Sequence, residues 1–183
     1  ALGYDCSGKF SSSFKNSPDS IKEKIINEAL ENIKGKDDLF EKVSQVSDNM
    51  LIFNAGFVLG NSSKNTKLIL AGGTQMAAVL LLANSIVNYM GGKLDSKNLA
   101  LCTTKWVEQD EDSDIKSLLE MLDFPINAYS SNFDFSTSNH PALKLYDEGE
   151  AKEGVGAGAA LCYGFINGLN EEQIIKQVES FLG

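Results

Sequence analysis

The sequence contains no arginine: all 16 basic residues are lysines, set against 25 aspartates and glutamates for a formal net charge of -9. An acidic chain without guanidinium forks lacks the basic face on which general nucleic-acid binding depends, so nucleic acid is not an expected partner. Histidine is nearly absent as well. The single His140 and the dispersed Cys6, Cys102 and Cys162 do not have the ligand spacing of a zinc site, and no metal is expected. An odd number of scattered thiols in apolar or small-residue surroundings points to free cysteines packed as filler in a reducing compartment, and so to a cytoplasmic protein. Long apolar runs are missing too. The most apolar stretch, MAAVLLLANSIVNYM at 76–90, is interrupted by Asn84 and Asn88 and falls short of the roughly 20 residues that span a bilayer, so it predicts a buried helix and no membrane partner. No basic segment leading into an apolar one opens the chain, so no secretory signal is expected. Neither GxxxxGK[ST] nor GxGxxG occurs, which removes the two common phosphate-loop signatures.

What is present is enough for a core. At 183 residues and 43% hydrophobic, the chain suits one domain or one and a fraction. Helices are predicted over 18–34, with Ile21, Ile25, Ala29 and Ile33 on one face, over 37–46, and over 48–60 with Asp48 as the cap. Then the pattern changes. TKLILAGGTQMAAVLLLA predicts a strand at 67–71, a double glycine and a long apolar helix. LALCTT at 99–104 is a second strand, followed by the acidic VEQDEDSD and a helix with Ile115, Leu118, Leu119 and Leu122 on one face; PINAYSS at 125–131 is a third strand. Strands alternating with helices imply crossover units and a mostly parallel sheet. Beyond it, helices are predicted at 141–150, about 156–168 and 171–182, the last with Ile174, Ile175, Val178, Phe181 and Leu182 in register. The expected architecture is a Rossmann-like three-layer α/β fold: 1–140 as part of a nucleotide-binding domain, and 141–183 as a small helical segment. The opening ALGYD resembles a helix end stopped at Gly3, which suggests a piece of a longer protein lacking its N-terminal part.

The acidic cluster Asp110, Glu111, Asp112 and Asp114 invites a magnesium reading but lacks the glycine and terminal glutamate of a calcium loop. A solvated helix start is the stronger reading. His140, preceding Pro141, reads as another helix start.

In an open parallel sheet, ligands bind beyond the carboxyl ends of the strands. Two segments stand out there. In LAGGTQ, Gly72 and Gly73 free backbone N–H groups where Thr74 and Gln75 open a helix, an arrangement suited to a phosphate, a carboxylate or a sugar hydroxyl; a tight strand-to-helix turn is an equal alternative. In KEGVGAGAAL at 152–161, Glu153 precedes Gly154, Gly156 and Gly158. A carboxylate there is suited to general-base work if desolvated, although an exposed first-turn acid before a closely packed helix explains the same residues.

The order of ALGYDCSGKFSSSF, LAGGTQMAAVLLLA and KEGVGAGAAL resembles the C-terminal half of the nicotinate-nucleotide:dimethylbenzimidazole phosphoribosyltransferase family, especially its archaeal branch, over essentially all 183 residues. KEGVGAG after the helix PALKLYDEGEA is its most specific part. The resemblance implies transfer of phosphoribose from nicotinate mononucleotide to a benzimidazole, giving the lower-ligand nucleotide of cobamides, with no cofactor and with a homodimer as the full-length form. It implies Glu153 as the general base, Gly154 and Gly156 admitting the flat base, Gly72, Gly73, Thr74 and Gln75 bordering the nucleotide, and Lys22 approaching its phosphate. The family's main phosphate-cradling glycine loop would precede Ala1, so the chain is expected to hold half a site. A non-catalytic nucleotide-binding or assembly module on the same scaffold is the alternative. A phosphoribosyltransferase using a pyrophosphate donor is weaker, since its phosphate loop and acidic pair are missing.

Overall fold

The structure is a computed structural model that describes residues 2–10, 19–149 and 154–183, with side chains of the first helix described from Lys24 onward. Three helices lead: α1 (Asp19–Asn32), α2 (Leu39–Val46) and α3 (Asn49–Asn61). The aspartate caps set the starts of the second and third. Asp38 accepts from the Glu41 N–H and Asp48 from the Leu51 N–H, each at 2.8 Å, satisfying first-turn donors that have no partner within the helix.

Next come β1 (Leu68–Ala71), α4 (Thr74–Tyr89), β2 (Leu99–Thr104), the short α5 (Lys105–Glu108), α6 (Ile115–Glu120) and β3 (Asn127–Ser131). The strands form one parallel sheet in the order β1-β2-β3, with Ile69 beside Ala100 and Cys102 beside Tyr129. The fold is therefore α/β, as the strand and helix alternation predicts. α7 (Pro141–Asp147), α8 (Ala157–Ile166) and α9 (Glu171–Leu182) complete the chain. His140 is the N-cap of α7 and Pro141 follows in its first turn, where its missing N–H costs nothing.

The two faces of the sheet differ. Leu70, Leu99 and Leu101 pack with Val58 of α3 and Val79, Leu80 and Ala83 of α4 in the main core. The intervening residues face α8, which lies directly on all three strands and supplies the second helical layer. The approach of α8 is close because it opens on small residues: a Cβ built on Gly158 would stand 2.2 Å from the carbonyl carbon and oxygen of Thr103. Burial holds Cys102 at this contact, and its thiol, facing Cys162 of α8, is pushed up to about 11, first by desolvation and then by the neighbouring thiol.

A polar clamp ties the N-terminal segment to the core. Asn84, buried on α4, donates to the Tyr4 hydroxyl and to Asp123 Oδ2, both at 2.9 Å, and Asn88 donates to the same carboxylate oxygen at 2.6 Å. The asparagines that interrupt the apolar run are thus the helix's hydrogen-bonding face. Those two amides hold the Asp123 carboxyl below its usual range.

Two expected apolar faces are not covered. Ile33, just past the end of α1, is buried but Ile25 on that helix is 61% exposed, and on α9 Ile175 is buried but Phe181 is 79% exposed. Periodicity predicted the amphipathic helices correctly; it could not say that only one end of each has a partner among the described residues. The acidic cluster also divides. Asp114 caps α6, accepting from the Ser117 N–H at 2.9 Å, whereas Asp110 is 8% exposed, a buried acid where a solvated one was expected. No helix among the described residues is long and apolar enough to cross a membrane.

Candidate functional site

The carboxyl ends of β1 and β2 and the start of α8 converge on one place. After β1 the chain turns through Gly72 and Gly73 into α4, and Gly73 is its N-cap with no side-chain cap, its carbonyl oxygen accepting from the Met76 N–H at 2.9 Å. Gly72, Gly73 and Thr74 are buried and Gln75 is exposed. Gly73 has little room: a Cβ there would meet Val107 Cγ1 at 3.1 Å and Val155 Cγ2 at 3.6 Å. Gly72 differs, since its Cβ would touch just the flexible Met76 side chain.

The described part of the second glycine segment, residues 154–161, meets this turn through Val155 and Gly156. Gly154 has φ +72, a left-handed conformation that glycine adopts without strain, and from it the chain enters α8. A Cβ on Gly156 would stand 3.4 Å from the Ala71 carbonyl oxygen, and Gly158 lies flush on Thr103. The glycines singled out at both segments, Gly72 and Gly73 on one side and Gly154 and Gly156 on the other, thus come together at the strand ends. Glu153 lies outside the described residues. So does the side chain of Lys22, which stands on α1, a helix packed against α2.

Around this junction the structure adds groups that sequence reasoning missed. β2 and β3 end in adjacent hydroxyl pairs, Thr103 beside Ser130 and Thr104 beside Ser131. All four hydroxyl oxygens are buried with no hydrogen-bond partner among the described residues. Strand alternation turns Thr104 and Ser131 toward α8, and Thr103 and Ser130 toward the opposite face. There, Thr103 and Ser130 line a groove of about 920 Å³ between α6 and β3, whose rim carries Glu108, Asp114, Glu120 and Asp123 against Lys116. Such a rim repels a phosphate, so an anion is better received at the glycine turn on the other side.

Beyond β2, Lys105 forms an ion pair with Asp134 at 2.5 Å, tying the segment after β2 to the loop after β3. The lysine and the Ser136 hydrogen bonds lower the Asp134 carboxyl to about 2. Next to the pair is an aromatic box. Trp106 stacks on Phe135 with centroids 5.9 Å apart and meets Tyr146 edge-on at 4.8 Å, while Phe133 bridges to Phe165 of α8. Asp147 accepts from the Phe135 N–H at 2.8 Å, and the Trp106 indole N–H approaches its carboxylate without reaching hydrogen-bond geometry. Burial raises the Asp147 carboxyl above its usual range, and the charge of Asp134 adds to it. With Lys105 committed to Asp134, backbone N–H groups and hydroxyls are what this junction offers an anion.

Other proteins are similar to this chain in sequence. Its relatives are UPF0284 proteins. The chain is 40% identical to the UPF0284 protein of Sulfurisphaera tokodaii, over 97% of the chain and 48% of that protein. It is 35% identical to that of Aeropyrum pernix over the whole chain and 50% of the relative, and 37% identical to that of Methanocaldococcus jannaschii over 98% and 51%. The chain therefore spans about half the length of the curated relatives it matches. No protein-family model matches it. The names of the UPF0284 relatives state neither a reaction nor a ligand.

The hydroxyl pairs had a signal in the sequence. TTKW follows the apolar LALC at a strand end, where the rule that ligands bind beyond carboxyl ends would have marked it as it marked LAGG. The Lys105–Asp134 pair had none, since its members are 29 residues apart with a helix and a strand between them.

Proposed function

We propose that the full-length protein transfers phosphoribose from nicotinate mononucleotide to a benzimidazole-type base. The observation that carries this reading is the meeting of the two glycine segments at the carboxyl ends of β1 and β2. Gly73, against Val107 and Val155, and Gly156, against the Ala71 carbonyl, let the two segments pack backbone-close there, and the α4 N-terminus beside them is suited to a phosphate. The resemblance of KEGVGAG to the phosphoribosyltransferase element supports the same choice.

The chemistry asks little of the protein. The C1′–N bond to nicotinate breaks with its electron pair returning to a cationic pyridinium nitrogen, so the leaving group departs neutral at nitrogen without being protonated. The acceptor attacks C1′ through the lone pair of one ring nitrogen, and the proton on its other ring nitrogen must be removed. Glu153 is the proposed base, and a positioned base is worth roughly 10²–10⁴-fold in rate.

The test is incubation of the full-length protein with nicotinate mononucleotide and 5,6-dimethylbenzimidazole, reading released nicotinate. Turnover by the wild type with at least a ~100-fold loss in Glu153→Gln is the expected result. Equal activity in both ends the assignment of Glu153, and no release by the wild type, with nucleotide still bound, favours a binding module instead.

A further inference from the structure

We infer that the outer edge of β1 is an internal position of a larger sheet, and that it receives a parallel strand from the part of the full-length protein this chain does not span. The strand itself points there. β1 is LILA, with no lysine, proline or other edge-protecting residue inside it, yet its second edge is unpaired among the described residues and Ile69 is 46% exposed. β3, on the opposite edge, is the polar NAYSS. One edge has the composition of a sheet margin and the other does not.

The hydrogen-bonding groups agree with the composition. Leu68 N–H donates to Asn98 O at 2.8 Å and Gly72 N–H to Cys102 O at 3.1 Å, so even-numbered residues of β1 face β2. Ile69 and Ala71 therefore direct both N–H and C=O outward, two donors and two acceptors along one line. Beside them runs an apolar groove of about 390 Å³, with Met50 and Phe57 of α3, Ile69, Ala71 and Met76 among its lining. Its mostly apolar lining on the α3 side suits every second side chain of an added strand.

Two arguments fix the occupant. The matched relatives are about twice as long as the region they share with this chain, so each carries about as much chain again from which to supply a strand. A second copy of β1, brought in by a two-fold axis, would run antiparallel, against the direction of a sheet whose three strands are all parallel. A parallel strand on the outer side of β1 also makes strand order reverse at β1, because β2 and β3 lie on its other side. That places the crevice of an open α/β sheet over Gly72 and Gly73. The inference concerns the sheet and does not depend on the proposed reaction.

The experiment is amide-resolved hydrogen exchange by NMR on the full-length protein. Ile69 and Ala71 are expected to exchange at least ~100-fold more slowly than exposed loop amides such as that of Asn65, and to keep that protection on dilution to micromolar concentration. Exchange as fast as the loop would overturn the inference, and so would protection that disappears on dilution, which would indicate a second copy. Ile69→Pro provides a separate readout. Proline is accepted where an outward N–H faces solvent and rejected inside a sheet, so the variant is expected to lose its cooperative unfolding transition; a variant with the wild-type Tm would refute an internal β1.

Discussion

Replacing Gly158 by alanine tests the closest contact in the fold. The added Cβ would stand 2.2 Å from backbone atoms of Thr103, where ordinary contact begins at 3.4 Å, so α8 or the end of β2 must move by about 1.2 Å. Neither can yield through a side chain, because backbone meets backbone. Overpacking of this kind costs roughly 1–3 kcal/mol, and the better helix propensity of alanine returns at most about 1 kcal/mol. The approach to 2.2 Å of backbone puts the cost at the upper end of that range, so the net loss expected is about 2 kcal/mol, or roughly 4–8 °C in Tm for a protein of this size. Gly72→Ala is the internal control: its Cβ would press on Met76 Cγ at 2.8 Å, the middle of a flexible side chain, and the change should cost under about 1 kcal/mol. Thermal and urea unfolding of both variants measure the difference. A Gly158→Ala protein as stable as wild type, or one less affected than Gly72→Ala, would refute the placement of α8 on the strand ends.

Asp147→Asn should stabilise the protein at pH 7. The Asp147 carboxyl is raised by burial and by Asp134, so ionising it in the folded state costs stability; the cost is absent below its unfolded value, grows from there to the folded value and is fully present above it. The variant should show the higher Tm at neutral pH and converge with wild type below about pH 4; a constant difference across that range would contradict the cause. Asn84→Ala removes three part-buried hydrogen bonds, two donated by its amide and one accepted from the Asp123 N–H, and should cost about 2–4 kcal/mol in urea unfolding, with faster exchange in residues 4–9. A loss below about 1 kcal/mol would show that the clamp does not hold that segment.

The strands were legible because LILA and LALCTT are short apolar runs bounded by turn residues, and one cap because Asp48 stands immediately before a periodic segment, whereas Asp38, inside the helix expected from 37, is the cap of the second helix. α5 was not, since KWVE is too short for a period to show. Burial was the weaker inference. Ile25 and Phe181 carry the right spacing for a core but are exposed, and Asp110 carries charge but is inside, because burial depends on neighbours distant in sequence. At the site, Gly72, Gly73, Gly154 and Gly156 could be found from glycine spacing next to apolar runs. The groups that surround them, Lys105 with Asp134 and Trp106 with Phe135 and Tyr146, are assembled by the return of the chain from β3 and have no local signature.

Thr103 and Thr104 are neighbours on one strand, yet their side chains lie on opposite sides of the sheet, the first lining the acid-rimmed groove and the second beneath α8, with both hydroxyls buried. At this point the sheet is a partition one backbone thick. A molecule seated on either side that drew its threonine toward itself would tilt the peptide plane shared by both, and the opposite compartment would change shape with it. The end of β2 therefore cannot be adjusted for one face alone, and a single inserted or deleted residue there would exchange the two hydroxyls between compartments.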